Sequence, residues 1–487
     1  MRQIRRIIAC GLLITAALPA VAVAQTPGVL DSLRTSMVQL TARLDSLEAG
    51  LCPSDTLLLV VPPLTGDAGT DSLAVSLQRL QARVHRLALA RCAEGGGQVV
   101  PTPAEPPSPQ PTGPVRTGGA YMNVGFDGLS DFGWSTEPDV SVLQGGDHDP
   151  HVRGFTIPNA EISLDGAVDP YFRAFANIVY KLDANAETGV ELEEMFFLTT
   201  SLPWNLQVKA GQFFMEFGRQ NAQHPHAWSF VDQPLVLNRM FGPDGLRSQG
   251  VRVSWLVPTS WYTEAMVSVL NSAGGTTFSF RSDESSAIHG GVPAARAVRG
   301  LEDLLIVPRI TSSVDLTPTQ TLLFGVSAAF GPNNSGPAAR TQIYGADAYW
   351  KWKSARAMQG FPFVSLQTEA LVRRYDASQR VSAEDPAVTL PAERLKDWGV
   401  YSQLLWGVKP RLVLGMRGEV ARGGDAAFDS DLRAERYRLS PNVTWYFTEF
   451  SKVRLQYTYD DRKAAGIDHS LWLQFEFILG AHAAHKF

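Results

Sequence analysis

The sequence is poor in cysteine, in runs of like charge and in catalytic motifs, and each shortage removes a class of protein. Three cysteines in 487 residues exclude a small disulfide-built scaffold. Basic and acidic residues nearly balance, 43 against 48, for a net charge of -5, so bulk electrostatics gives no reason to expect a nucleic-acid partner. Beyond the first residues no Lys/Arg run is dense enough to anchor the chain to an anionic surface. There is no GxSxG nucleophile turn, no phosphate-cradling glycine loop after a buried strand and no Cys/His spacing of a structural zinc site. Neither an enzyme nor a cofactor is expected.

What the chain does contain begins with a leader. Arg2, Arg5 and Arg6 precede an apolar stretch over residues 7–20, and small residues follow at Ala22 and Ala24. This order predicts a secretory signal peptide over 1–24. Cys10 lies ahead of most of the apolar stretch, whereas a lipoprotein signal needs its cysteine behind it. Leu30, Leu33, Met37, Leu40, Leu44, Leu47 and Leu51 then recur in steps of three and four. Leu73, Leu77, Leu80, Val84 and Leu87 repeat the pattern, with Asp71 placed as an N-cap. The spacing predicts a periplasmic helical coiled-coil segment over 25–93. Each helix holds only about two to three heptads, too few to stand alone in water, so the seam needs the other helix or a partner chain. Cys52 and Cys92 end the two helices, and three states stay open for them: a bond within the chain, a bond between chains, or free thiols. Residues 94–117 are rich in proline, which removes backbone donors and favours an extended linker.

From residue 118 onward the texture changes to segments of roughly ten residues with period-two alternation. Leu412, Leu414 and Met416 alternate with Val413, Gly415 and Arg417. Arg436, Arg438, Ser440, Asn442 and Thr444 oppose Tyr437, Leu439, Val443 and Trp445. Leu471, Leu473, Phe475, Phe477 and Leu479 oppose Trp472, Gln474, Glu476 and Ile478. A soluble sandwich alternates too, but turn length separates the two. The short links VDPY, LPWN, VPTS, LTPT, VKPR and FTEF alternate with long segments over 128–152, 219–248 and 271–300. Bacterial membrane barrels assign loop length by parity in this way, with short turns in the periplasm and long loops outside. The expected fold is an all-β transmembrane barrel of about 16 antiparallel strands over 118–487, with both termini on the periplasmic side. Phe487 resembles the terminal aromatic by which such barrels are recognised for assembly, although His485 interrupts the apolar pattern that accompanies it.

The stretches VKAGQFFMEFGRQ, from Val208 to Gln220, and NRMFGPDGLRSQGVRVSW, from Asn238 to Trp255, resemble the strand, long loop and next strand of the phosphate-selective porin O and P family. A coiled coil and linker ahead of the barrel also resemble many members. The resemblance implies a sixteen-stranded channel, usually trimeric, whose third outer loop, here 219–248, folds inward to narrow the lumen. Two features depart from the family pattern. Glu216 stands where many relatives have proline, and the loop offers Arg219, Arg239 and Arg247 but no lysine. Selection of phosphate by a lysine and arginine constriction is therefore not implied.

Alternation places Arg173, Lys181, Lys209, Arg252, Arg309, Arg417, Arg436, Arg438 and Arg454 on the polar face, because a charge facing lipid at mid-depth would cost about 2 to 4 kcal/mol. Two readings of this wall stay open. The row forms a basic ladder that favours anions, or Glu161, Glu193, Glu369, Glu419 and Glu476 pair with it and leave the wall neutral. His148, Asp149 and His151 in the first long loop, His224 and His226 in the third, and His482 and His485 near the end carry zinc-binding side chains. With no third and fourth ligand close in sequence they read as surface-loop residues, and no metal is expected.

The expected protein is an outer-membrane porin passing small hydrophilic solutes by diffusion, with a weak preference for anions. Its expected partners are outer-membrane lipid, lipopolysaccharide, the barrel-assembly machinery and two further copies of itself. The alternatives are a structural or adhesive barrel with a blocked lumen, and a specific uptake receptor, TonB-linked or metal-related. A TonB-linked receptor needs a plug and about twenty-two strands, too many for about 370 residues.

Overall fold

The computed structural model describes residues 121–183, 187–294, 298–428 and 430–480. Every described residue belongs to one compact unit, Pro111–Phe487. The leader, the heptad segments with Cys52 and Cys92, the linker, His482, His485 and Phe487 lie outside the described residues.

Among the described residues eighteen strands form in this order: β1 (Tyr121–Ser135), β2 (Gly154–Ala167), β3 (Phe172–Leu182), β4 (Thr188–Thr199), β5 (Leu206–Phe214), β6 (Arg247–Leu256), β7 (Tyr262–Asn271), β8 (Leu304–Thr317), β9 (Gln320–Pro332), β10 (Arg340–Met358), β11 (Phe361–Ala377), β12 (Arg380–Val381), β13 (Thr389–Leu390), β14 (Glu393–Lys409), β15 (Leu412–Gly423), β16 (Arg436–Thr448), β17 (Ser451–Arg462) and β18 (Gly466–Gly480). Sixteen of them close one antiparallel barrel, in which β1 pairs with β18. The remaining two, β12 and β13, make a small ribbon in the loop between β11 and β14.

Period two decides which way each side chain faces. On β16 the positions 436, 438, 440, 442 and 444 are buried inside the barrel, while Tyr437, Leu439, Val443 and Trp445 are exposed outside it. β18 follows the same rule, with Leu471, Leu473 and Phe475 outside and Trp472, Gln474 and Glu476 inside. The outer face carries aromatic residues at two levels. Trp398 and Trp406 are both exposed on β14 and lie about 26 Å apart along the strand at about 3.3 Å per residue. That spacing matches the roughly 25 Å apolar band between the aromatic girdles of a membrane barrel. Among the described residues no helix is long and apolar enough to cross a membrane.

Residues 168–171, 200–205, 257–261, 318–319, 359–360, 410–411 and 449–450 make short turns at one end, and the long loops 136–153, 215–246 and 272–303 lie at the other, together with the shorter links 333–339 and 463–465. The turn at Gln359 and Gly360 has no proline to announce it. Both residues have positive φ, 53° and 84°, as a two-residue hairpin turn with the strand's own twist demands.

The loop ends shift by one to eight residues from the sequence expectation, and two of the shifts change which residues belong to the wall. β1 continues to Ser135, because Asp127, Leu129, Asp131 and Ser135 keep facing inward while Phe132 and Trp134 face out. The third outer loop ends at residue 246, so Arg247 is the first residue of β6 and belongs to the wall.

Candidate functional site

The third outer loop, 215–246, folds into the barrel and contains a short helix, α1 (Leu235–Phe241), whose seven residues are all buried. Its course inside the wall follows from its hydrogen bonds. Gly218 donates its N–H to Ser327 on β9 at 3.1 Å, and Arg219 and Gln220 donate theirs to Glu369 on β11 at 3.0 and 2.8 Å. The loop then crosses to β1, β2 and β4 through His224 and His226. It returns along β17, β16 and β15, where the carbonyls of Trp228 and Phe230 accept from Arg454 and that of Ser229 accepts from Asn442. Leu235 donates to Glu419 at 2.6 Å, and Arg373 on β11 donates to the Arg239 carbonyl at 2.7 Å. The loop is a belt fastened on opposite sides of the barrel.

Its apolar half makes the only kind of core a hollow barrel can have. Phe217, Val236, Leu237, Met240 and Phe241 pack against inward residues of the wall, among them Val307, Ile343, Leu371 and Tyr401. Gly345 makes room for it, since a Cβ there would stand 2.5 Å from the Phe217 ring. Burial of the inner positions continues down to Arg454, Thr444 and Gln474 and ends near the short turns, where Lys353 is exposed and Lys452 and Tyr446 are partly so.

The basic candidates all face inward, and nearly all meet a carboxylate. Arg173 pairs with Asp165 at 2.8 Å near the short-turn end, and Lys181 pairs with Asp147 and Glu191. Lys209 and Arg252 share Glu216. Arg309 reaches Asp347 at 2.6 Å, two strands away, and Arg436 pairs with Asp460. Arg417 and Arg438 share both Asp232 of the loop and Glu419 of β15. Arg454 instead bonds to loop carbonyls and to Gln474 at 2.5 Å. Of the acidic partners expected from sequence, Glu419 takes the role for these residues. Glu161, Glu193 and Glu369 serve the loop instead, and Glu476 takes Lys452.

Two of the loop arginines stand apart. Arg219 donates to Gln367 at 3.1 Å and lies over the Tyr349 ring at 4.2 Å. Arg239 is buried on α1, and its Nε and Nη1 have no hydrogen-bond partner among the described residues. Burial together with the nearby charge of Arg436 lowers its pKa to about 9. Arg247 is paired to Asp244 at 2.5 Å and to Glu191.

The loop histidines correct the surface reading made from sequence. A β-bulge in β4, between the pairs Asn177–Glu194 and Ile178–Leu192, turns the consecutive residues Glu193 and Glu194 both inward. With Glu161 of β2 and Asp127 of β1 they form a buried acidic wall, and three histidines interleave with it. His148 Nε2 stands 3.4 Å from both Asp244 and Glu193, and His224 Nδ1 stands 2.9 Å from Glu193 and 3.3 Å from Glu161. His226 Nδ1 stands 3.4 Å from Glu161 and 3.3 Å from Asp127. Burial opposes charge on these rings, but the carboxylates together outweigh it. His148 and His226 are pushed up to about 10, and His224 is raised as well. Sequence spacing hides this cluster, because its acids come from three strands. One signal was present: in the run ELEEMFF the alternation changes phase at the paired glutamates.

Fold and lumen together define the class, a closed sixteen-stranded barrel with an apolar outer face, a polar inner wall and an inward third loop. An uncharacterized protein of Aquifex aeolicus (strain VF5) is 32% identical over 359 residues, 69% of this chain and 70% of that protein, and the chain belongs to the same family. No family model matches the chain, so the likeness to the phosphate-selective porins O and P stands on its motifs alone. Among solved structures, the outer membrane channel DcaP of Acinetobacter baumannii is similar with a TM-score of 0.47 and 13% identity, over 74% of this chain and 97% of that one. OmpT of Vibrio cholerae in its trimer form gives 0.44 and 8%, over 74% and 99%. OmpF of Salmonella typhi in complex with daunomycin gives 0.43 and 11%, over 74% and 97%.

Proposed function

We propose that the protein is an outer-membrane porin that passes small hydrophilic solutes by passive diffusion, with the third loop setting size and charge selection. The observation that carries this reading is the closed barrel with opposite faces: exposed aliphatic and aromatic side chains outside, and ion-paired polar side chains inside. A closed barrel satisfies every ladder hydrogen bond and so needs no water at its edges, which suits it to lipid. The short turns face the periplasm, where the N-terminal helical segment also lies, and the barrel assembles as a trimer in contact with lipopolysaccharide after insertion by the assembly machinery.

The ion pairs along the wall bring the ladder of basic residues close to neutrality. Anion preference is accordingly weak and rests on Arg219 and Arg239, the loop guanidinium groups without a carboxylate in salt-bridge contact among the described residues. No catalytic role is proposed.

A second reading, a structural barrel with a blocked lumen, is favoured by the belt itself, which buries the inner positions over most of each strand from β14 to β18. Single-channel recording in a planar bilayer under a salt gradient separates the two. Stepwise ohmic currents with a reversal potential displaced slightly toward the anion potential support the porin. Silence across many insertions of folded protein supports the blocked barrel.

A further inference from the structure

We infer that His148, Glu193 and Asp244 form a binding site for one divalent transition-metal ion of the zinc class, which would fasten the first and third loops to the barrel wall. His148 comes from the first loop, Glu193 from the bulge of β4 and Asp244 from the end of the third loop. Three observations carry the inference.

The first is spacing. His148 Nε2 lies 3.4 Å from Glu193 Oε1 and 3.4 Å from Asp244 Oδ1, and the three ligand atoms all lie within 4.8 Å of one another. Zinc binds imidazole nitrogen and carboxylate oxygen at about 2.1 Å, and the edge of a tetrahedron with that radius is about 3.4 Å.

The second is that these three buried atoms face one another and no other group comes nearer: His148 Nε2 stands 3.4 Å from each carboxylate oxygen, longer than a good hydrogen bond, so an ion can take the place of the ring's proton between them. His148 and Glu193 are 4% and 1% exposed. A cavity of about 10 Å³ adjoins them, lined by all three residues together with Asn221, Gln223 and Gln233, and this is the size of a single ordered water. It supplies the place for a fourth, exchangeable ligand.

The third is the occupation of the other half of each ligand. His148 Nδ1 faces the Pro158 carbonyl at 3.4 Å, so Nδ1 keeps its proton and Nε2 is the nitrogen that gives up its own to the ion. Glu193 Oε2 is held by Asn177 Nδ2 at 2.8 Å and by His224 Nδ1 at 2.9 Å. Asp244 Oδ2 is held by Arg247 at 2.5 Å. Metal sites orient their ligands in this way, with outer partners on the atoms that do not bind the ion. The surrounding charge admits a dication. Asp147, Glu191, Glu193 and Asp244 outnumber Lys181 and Arg247, whose Nη1 lies 3.8 Å from Glu193 Oε1. One nitrogen and two carboxylate oxygens select zinc and its first-row neighbours over magnesium or calcium, which prefer all-oxygen shells.

The test uses the tag-free full-length chain in detergent, stripped with a chelator, in a Cys52→Ser, Cys92→Ser background that removes thiol binding. Zn²⁺ alone is titrated in. We expect one ion per chain, weakened by more than about a hundredfold in His148→Ala, Glu193→Gln and Asp244→Asn, and retained in His226→Ala, which alters the neighbouring histidine. Zinc-edge X-ray absorption should report one nitrogen and otherwise oxygen ligands at about 2.0–2.1 Å. The asparagine and glutamine variants keep side-chain volume, and heat-dependent electrophoretic mobility verifies that each barrel is folded. Absence of stoichiometric zinc in the parent chain, or unchanged affinity in the folded Asp244→Asn protein, overturns the inference. So does loss of binding in His226→Ala.

Discussion

Replacing Asp232 by asparagine tests whether the belt is held in place by charge. Asp232 is the loop's carboxylate between two wall arginines, with Oδ1 2.7 Å from Arg417 and Oδ2 2.9 Å from Arg438, and Gln456 donates to it at 2.6 Å. Without its charge, the two guanidinium groups retain a single shared acceptor, Glu419 Oε1, at 2.7 Å from each. Removing one partner from a buried ion pair costs about 3 to 5 kcal/mol, because the charge left behind stays out of water. Asparagine preserves the Gln456 contact, so the lower figure applies. About 3 kcal/mol is a factor of about 150 in the ratio of docked to released loop. The assay is limited proteolysis of the loop in folded, membrane-embedded protein, read together with current noise in single channels. Cleavage of the parent loop should be slow, and the variant should be cut about a hundredfold faster and fluctuate between conductance levels. Equal cleavage rates and equal noise in a folded variant would refute the claim that this pair anchors the loop.

Two further outcomes follow from the same geometry. Arg438→Glu adds a carboxylate beside Asp232 and Glu419, so it should lower the barrel's melting temperature by heat-dependent mobility well before it alters ion selectivity. A change of selectivity with unchanged melting would contradict the pairing. Trp398 and Trp406, exposed on the outer face, should be quenched by brominated lipid in single-tryptophan variants, whereas the buried Trp228 and Trp472 should not. Equal quenching of all four would remove the assignment of faces.

The barrel was legible in the sequence because its two signals are local. Side-chain alternation on β16 and β18 is fixed by the pleat, and turn parity is fixed by the end of the barrel at which a link sits. What stayed hidden depends on residues far apart. Arg309 meets Asp347 across an intervening strand, through a gap left by Gly325, so no neighbour-pairing rule finds it. Asp232 serves two strands more than 180 residues away, a choice made by the path of the loop and written in no periodicity. The histidines looked like surface residues because their acidic partners lie on β1, β2 and β4, one of them redirected by the bulge at Glu193.

Where the barrier to passage lies can be argued from the wall itself. Inner positions on β16 and β17 are buried from Arg436 and Arg462 down to Thr444 and Arg454, and the next inner residues, Tyr446 and Lys452, are partly open. On β10 the same transition runs from buried Ile343 and Asp347 to exposed Lys353. The belt therefore occupies the long-loop side of the lumen and leaves a vestibule at the short turns. Single cysteines in a Cys52→Ser, Cys92→Ser background locate this boundary. Lys353→Cys should react with a small water-soluble thiol reagent at the rate of an open site, while Ser440→Cys, whose position is fully buried on β16, should be protected. Combining Ser440→Cys with Asp232→Asn should restore its reactivity by the same factor that proteolysis reports, because both readouts require the loop to leave the wall. A site at 440 that reacts freely in the parent chain would place the barrier elsewhere, and one that stays protected after Asp232→Asn would show that the apolar contacts of α1, rather than the ion pairs, keep the belt closed.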